Sequence, residues 1–249
     1  MRDLDAKESL LEHKKIINSK LFLKNVYIDF YKILKSHKAP KKGLLIEVGS
    51  GGGFLKRFIP KVITTDVLKV DGIDRKLDLE NIKLKSNSVS AFYMLNVFHH
   101  IKNPKRALSE MERCLVDEGK IIMIEPWPTI FSKFIYKNFH HETFDTNSDW
   151  KVRGTGRMSD ANGALPWIIF KRDKQKFEKL FPNLKIEIVK PHTPFKYLLS
   201  GGLSHKQVLP SFFYPFLNII EIPLRPFNKF LAMFATIIIS KAGIHIEHD

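Results

Sequence analysis

The chain has one cysteine, Cys114, among 249 residues. A single thiol excludes an internal disulfide framework and any zinc site built on several cysteines. Long apolar runs are also missing. The longest uncharged stretch of the greasy C-terminal third, Gln207 to Ile220, is interrupted by Pro210 and Pro215 and is shorter than the ~18–20 residues a spanning helix needs. The next run, Phe230 to Ser240, is shorter again. The first fifteen residues, MRDLDAKESLLEHKK, mix both signs of charge and lack the apolar stretch of a secretory leader. Together these absences predict a reducing, cytoplasmic setting.

Acidic residues are scarce. Against 41 Lys+Arg there are 26 Asp+Glu, a formal charge of +15. The cations are spread along the chain, with small clusters at Lys14-Lys15, Lys41-Lys42 and between Lys171 and Lys179. There is no Lys/Arg-rich block and no zinc finger or similar nucleic-acid module. A surface of this kind serves plain solvation, an anionic membrane face or nucleic acid, and charge alone does not choose among them. The hydrophobic share is 44%, well above that of a disordered chain, so a proper core is expected. The length fits one domain with embellishments.

The pattern along the chain is one of alternation. Ala6 to Lys35 carries leucines and isoleucines at near-helical spacing among lysines, and predicts one or two amphipathic helices ended by Ala39-Pro40. Gly43 to Val48 is a short apolar run entering a glycine cluster, as a buried parallel strand does. A short helix is expected over Phe54 to Ile59, before Pro60, then strands over Val62 to Thr65 and Ser90 to Leu95. Pro104 to Leu115 predicts a helix with proline in its first turn, and Lys120 to Ile124 a β-branched strand. A further helix is expected at Lys171 to Leu180, with strands at Leu184 to Val189 and Phe234 to Ser240. Strands alternating with helices imply a doubly wound α/β sheet. Two segments break the rhythm: 127–166, rich in aromatics and histidine, and 197–230, dense in Pro, Phe, Leu and Ile. Long excursions inside a compact domain are usually functional.

The sharpest feature is Glu47-Val48-Gly49-Ser50-Gly51-Gly52-Gly53. A glycine loop between strand and helix lets backbone approach a nucleotide-like ligand. The dinucleotide fingerprint requires its third glycine at position 54, which is Phe54, so a nucleotide-dependent oxidoreductase is disfavoured. Glycines instead stand at 49, 51 and 53, with an acid two residues before the first.

This E-x-G-x-G-x-G run resembles motif I of the class I S-adenosylmethionine-dependent methyltransferases (methyltransferase type 11-like). The likeness continues in order through Asp66, Asp78-Leu79, Leu95-Asn96-Val97-Phe98-His99-His100-Ile101, and Arg113-Cys114-Leu115 followed by Gly119-Lys120-Ile121. It covers about Leu44 to Glu125. Two departures are Ser90-Ala91-Phe92 where many relatives carry an aspartate beside an aromatic, and a single Gly119 where a double glycine is familiar. The resemblance implies a Rossmann-like doubly wound sheet of seven mostly parallel strands with the last antiparallel, and S-adenosyl-L-methionine as cofactor. The implied cofactor-binding residues are Glu47, Gly49, Ser50, Gly51, Gly53, Asp66, Val67, Asp78, Leu79, Asn96 and Val97. In that reading Glu47 lies near the methionine end, Asp66 accepts from the ribose hydroxyls and Asp78 contacts the adenine amine. The lesser alternative for Asp66 is a helix cap, and Asp71, Asp74 and Glu80 compete with Asp78.

Methyl transfer needs positioning, exclusion of water and at most a base. Candidate bases are His99, His100, His140, His141 and Glu125, with His100, His140 and His141 retained as catalytic candidates. A structural role for the histidines is the competing reading, and His140-His141-Glu142 could be a proton relay or two metal ligands. No metal is required, and the carboxylate clusters of metal-dependent relatives are not identifiable. The N-P-P-Y signature of amino-methylating nucleic-acid enzymes and the Pro-Cys nucleophile of base carbon methylation are absent, which disfavours nucleic acid. The expected organisation is a single domain over 1–249: a helical cap (1–40), a cofactor core (41–126), and acceptor-site insertions at 127–166 and 197–230. The aromatic insertions, flanked by cations such as Arg225 and Lys229, suggest a small-molecule acceptor of hydrophobic or lipid-like character and peripheral contact with an anionic membrane. The alternative is a methyltransferase-like protein that binds the cofactor or a partner without turnover.

Overall fold

The computed structural model describes residues 7–139, 142–152, 154, 156 and 160–243. His140 and His141, both candidates from the sequence, lie outside the described residues. Two helices open the described chain, α1 (Lys7–Ser19) and α2 (Leu21–Ser36). The strands follow as β1 (Leu44–Val48), β2 (Val62–Asp66), β3 (Arg75–Lys76), β4 (Val89–Leu95), β5 (Leu115–Pro126), β6 (Leu184–His192) and β7 (Phe234–Lys241). These strands form one sheet in the order β3-β2-β1-β4-β5-β7-β6. Neighbours from β3 to β5 run parallel, while β7 lies antiparallel between β5 and β6.

Both faces of the sheet are covered, and the side-chain alternation of its strands divides the core in two. Phe92, Met94, Ile121, Met123, Ile237 and Ile239 point to one side. There they meet α3 (Pro104–Cys114) and the helical run formed by α5 (Leu165–Trp167), a π-helical turn (Ile168–Arg172) and α6 (Lys174–Leu180). Ala91, Tyr93, Ile122, Ile124 and Ile238 point to the other, against Phe22, Val26, Phe30 and Tyr31 of α2. The remaining helices are α4 (Ile130–Phe139), α7 (Lys196–Leu199), α8 (Tyr214–Leu224) and α9 (Asn228–Leu231).

The structure departs from the sequence pattern in four places. The helix expected over Phe54 to Ile59 is a single 3-10 turn, Leu55–Arg57. Pro60 removes a donor and disfavours helical backbone just before it, leaving too few residues for a regular helix. The two-residue β3 has both residues exposed and so offers no hydrophobic pattern. β5 begins at Leu115, earlier than its apolar run, because Leu115 already pairs with Val89. Both segments that break the rhythm of the sequence contain regular helices, α4 in the first and α8 in the second.

One consequence of the topology positions everything below. The C-terminal ends of β1, β4 and β5 lie at one edge of the sheet. Register pairs Pro126 with Phe234 and Phe234 with His192, so residues 127–164 and 193–233 leave the sheet at that same edge. Open α/β sheets bind ligands at this edge, where the strand order reverses.

Candidate functional site

Glu47 and Val48 close β1, and the glycine loop follows. Gly49 (φ +63°) and Gly51 (φ +41°) sit in the left-handed region that side chains disfavour. Space is also denied. A Cβ on Gly49 would lie 2.6 Å from Val97, and one on Gly53 would collide with the Tyr31 hydroxyl, which accepts a hydrogen bond from the Phe54 N–H at 3.2 Å. Helix α1 crosses above the loop, placing its backbone where a Gly52 side chain would be and Leu10 beside Gly51.

Polar groups fix the loop to its neighbours. The Ser50 hydroxyl donates to Glu47 Oε2 at 2.9 Å and accepts from the Thr65 N–H at 3.1 Å. Asp66, at the end of β2, accepts from the Gly51 N–H (3.3 Å) and the Leu68 N–H (3.1 Å). Its carboxylate is thus tied to the glycine loop, and its backbone carbonyl accepts from Leu77 N–H at 2.9 Å. Glu47 is buried, and burial pushes its carboxyl up to about 8 against the opposing Ser50 hydrogen bond. Asn96, just past β4, adopts φ +56°, and its side-chain Oδ1 is buried with no hydrogen-bond partner among the described residues.

The residues singled out from the sequence therefore separate into groups. Glu47, Gly49, Ser50, Gly51, Gly53, Asp66, Asn96 and Val97 come together. Val67 extends the turn after Asp66. Asp78 stands next to Leu77, exposed, with its carboxylate accepting from the Glu80 N–H at 2.8 Å. Its competitor Asp74 is committed elsewhere: it accepts from Thr64 backbone and side chain and pairs with Lys56, which holds it down at about 2. Leu79 turns its side chain into the core, leaving only its backbone for a ligand.

A second cluster adjoins the first, unforeseen as a unit. Glu125, fully buried at the end of β5, accepts from the N–H groups of Val97 (2.9 Å) and Phe98 (2.8 Å) through one oxygen. Its other oxygen lies 2.6 Å from His99 Nδ1. On the far side of that ring, His99 Nε2 stands 3.5 Å from Glu142, and His100 Nε2 stands 3.8 Å from the same carboxylate. Burial pulls the His99 imidazole down, but Glu125 and Glu142 outweigh it and hold the group up at about 10. His99 thus keeps its proton at neutral pH and is unsuited to remove one. Asn162 docks the insertion here, its N–H donating to His99 O at 3.0 Å. Two phenols, Tyr136 and Tyr197, border the same region, and burial first, with Glu142 among the smaller causes, pushes both up. No spacing in the sequence announces Tyr31 as a site neighbour, and Glu142, named from the sequence only beside His140-His141, reaches His99 and His100 through long-range packing.

Both insertions turn apolar surface outward. On α4, Ser132 and Tyr136 face in, while Ile130, Phe134 and Phe139 are exposed. On α8, Tyr214, Leu217 and Glu221 face in, and Glu221 pairs with Lys196 at 3.2 Å. Phe212, Phe216, Ile219 and Ile220 remain in solvent. A cleft of about 590 Å³ elsewhere, lined by Lys35, Lys38, Lys41 and Lys61, opens beside Leu44 at the opposite edge of β1 from the glycine loop.

Residues 46–123 match the family model of the methyltransferase domain, from within β1 to within β5, and so include the glycine loop. Over these residues the chain has the core of a methyltransferase domain. The cofactor of that family is S-adenosylmethionine, and the methyltransferase core here fits such a ligand: the loop has no room for side chains, and the Asn96 oxygen is an unused acceptor. None of the curated proteins compared with the chain matches it. Among solved structures, a Thermotoga maritima S-adenosylmethionine-dependent methyltransferase, described as a possible histamine N-methyltransferase, is similar over 92% of this chain and 98% of its own, at 16% identity and TM-score 0.56. A chain from the Haloferax volcanii complex of the Trm112 methyltransferase activator with a methyltransferase is similar over 98% and 99%, at 10% identity and TM-score 0.53. The [4+2]-cyclase SpnF is similar over 86% and 81%, also at 10% identity and TM-score 0.53. At these identities the likeness is one of fold, and a cyclase among the neighbours means that the fold alone does not name the reaction.

Proposed function

We propose that this protein transfers a methyl group from S-adenosylmethionine to a hydrophobic, lipid-like acceptor at an anionic membrane surface. The observation carrying the acceptor class is the inverted amphipathicity of α4 and α8, whose outward faces are apolar while Glu221 is turned inward. Both helices belong to the insertions that leave the sheet at the glycine-loop edge. Exposed apolar patches mark interaction surfaces, and apolar side chains flanked by Lys133, Lys137, Arg225 and Lys229 suit an interfacial element.

When bound, the cofactor supplies a methyl group already activated on a sulfonium. The glycine-loop backbone and Asn96 would hold it, Asp66 would accept from its ribose, and Glu47 would face the ammonium group of its zwitterionic amino-acid tail. α1 covers the loop and would keep water from it. The test of function is transfer of tritium from methyl-labelled cofactor into the organic phase of a membrane lipid extract. Label confined to the aqueous phase would remove the lipid reading, and cofactor binding with no product of any kind would favour the non-catalytic alternative.

Two expected results belong to this reading. Phe216→Asp combined with Ile219→Asp should weaken sedimentation with phosphatidylglycerol-containing vesicles at least tenfold, since each buried apolar side chain contributes roughly 1.5–3 kcal/mol, while the melting temperature stays unchanged. Equal sedimentation by the double variant would rule this face out.

The second concerns Glu47. Its native value of about 8 lies above its ordinary 4.5, so the folded protein holds a proton that the unfolded chain releases. That stability contribution is present at low pH and is lost as pH rises from about 4.5 to about 8. The ammonium group of the ligand's amino-acid tail favours the carboxylate, so binding at pH 7 should release close to one proton, and affinity should rise with pH until about 8. Calorimetry with S-adenosylhomocysteine in two buffers of different ionisation heat measures this. A buffer-independent heat at pH 7 would separate Glu47 from the ligand.

A further inference from the structure

Donors from two parts of the chain converge beside the cofactor edge: a ring nitrogen each from the adjacent His99 and His100, and the Glu142 carboxylate from the insertion, all within 4.8 Å of one another. The 3.5 and 3.8 Å separations across the gap are too long for strong hydrogen bonds. They suit another arrangement. Two donors each about 2.0–2.2 Å from a tetrahedral ion stand roughly 3.3–3.6 Å apart, a range that the His99 separation meets and the 3.8 Å of His100 lies just beyond.

The surroundings fit the same chemistry. Glu125 holds His99 Nδ1 at 2.6 Å and is itself fixed by the Val97 and Phe98 N–H groups. This directs His99 Nε2 at Glu142, as the carboxylate partner of a metal-ligating histidine does. Two carboxylates share this site, a charge that a divalent cation balances. His99 is buried, whereas the His100 and Glu142 side chains retain 17% and 16% exposure, so the gap is reachable from one side. Three protein donors with one side open is the pattern of sites that bind a further ligand.

We propose that His99, His100 and Glu142 form a binding site for a divalent transition-metal ion, with Glu125 as the outer partner that orients His99. The ion replaces the proton between His99 Nε2 and Glu142, and its open positions would take an oxygen or nitrogen of a small ligand. The site differs from the cofactor loop, and its occupancy does not depend on methyl transfer.

The experiment is titration of chelator-treated full-length protein with Co²⁺, followed by ligand-field absorption and calorimetry, with Zn²⁺ as competitor. One ion per chain is expected. His100→Gln and Glu142→Gln should each weaken it at least tenfold, and Glu125→Gln, which removes no ligand, by ~10–100-fold. Circular dichroism and S-adenosylhomocysteine binding serve as folding controls. Absence of stoichiometric Co²⁺ binding by wild type overturns the proposal, as does unchanged binding in the folded His100→Gln and Glu142→Gln variants.

Discussion

Asp66→Ala is expected to weaken S-adenosylhomocysteine binding by about 100-fold or more. The proposed role gives Asp66 two charge-assisted hydrogen bonds to ribose hydroxyls, at roughly 1.5–3 kcal/mol each. The same carboxylate accepts from the Gly51 and Leu68 N–H groups, so its removal also frees the loop it holds. Both losses act on affinity. Asp66→Asn keeps an acceptor for one N–H and should lose less. Calorimetry on folded variants decides the matter: affinity within threefold of wild type would place the ribose elsewhere. A fall in melting temperature without a fall in affinity would reduce Asp66 to a structural cap, the other reading its position allows.

Removing Glu125 should show the largest effect on stability. The Glu125→Ala protein loses both oxygens that hold the Val97 and Phe98 N–H groups and His99. Two donors and a cation would then be buried without their partner. Breaking a buried charge pair from one side costs about 3–5 kcal/mol. For a chain of this size, where each kcal/mol moves the midpoint by roughly 2–4 °C, the melting temperature should fall by about 6–20 °C. Glu125→Gln preserves shape and an acceptor and should recover more than half of the loss. A thermal melt of the alanine variant within about 2 °C of wild type would show that the cluster is not needed to hold the loop after β4.

Legibility varied along the chain for identifiable reasons. The strands of the sheet interior could be read because burial on both faces demands continuous apolar runs, as in Ile121-Ile122-Met123-Ile124. The glycine loop could be read because only glycine tolerates φ +63° at position 49 against Val97. β3 could not, since its two residues are exposed and pair only through backbone. Asp78 and Asp74 looked equivalent in sequence, and only the hydrogen bonds from Thr64 and the Lys56 pair showed that Asp74 is occupied with holding β2.

The sequence by itself determined the α/β alternation and the glycine loop with its neighbouring acids, and with them the resemblance to a methyltransferase domain, because these depend on local backbone demands and on spacing within one unit. Tertiary structure decided which faces of α4 and α8 meet solvent, since an apolar helix reads the same whether its greasy side is buried or bare. It also decided the company of His99. Glu125 and Glu142 reach that ring from β5 and from the insertion, separations over which no periodicity survives, and only the closed sheet brings their charges together.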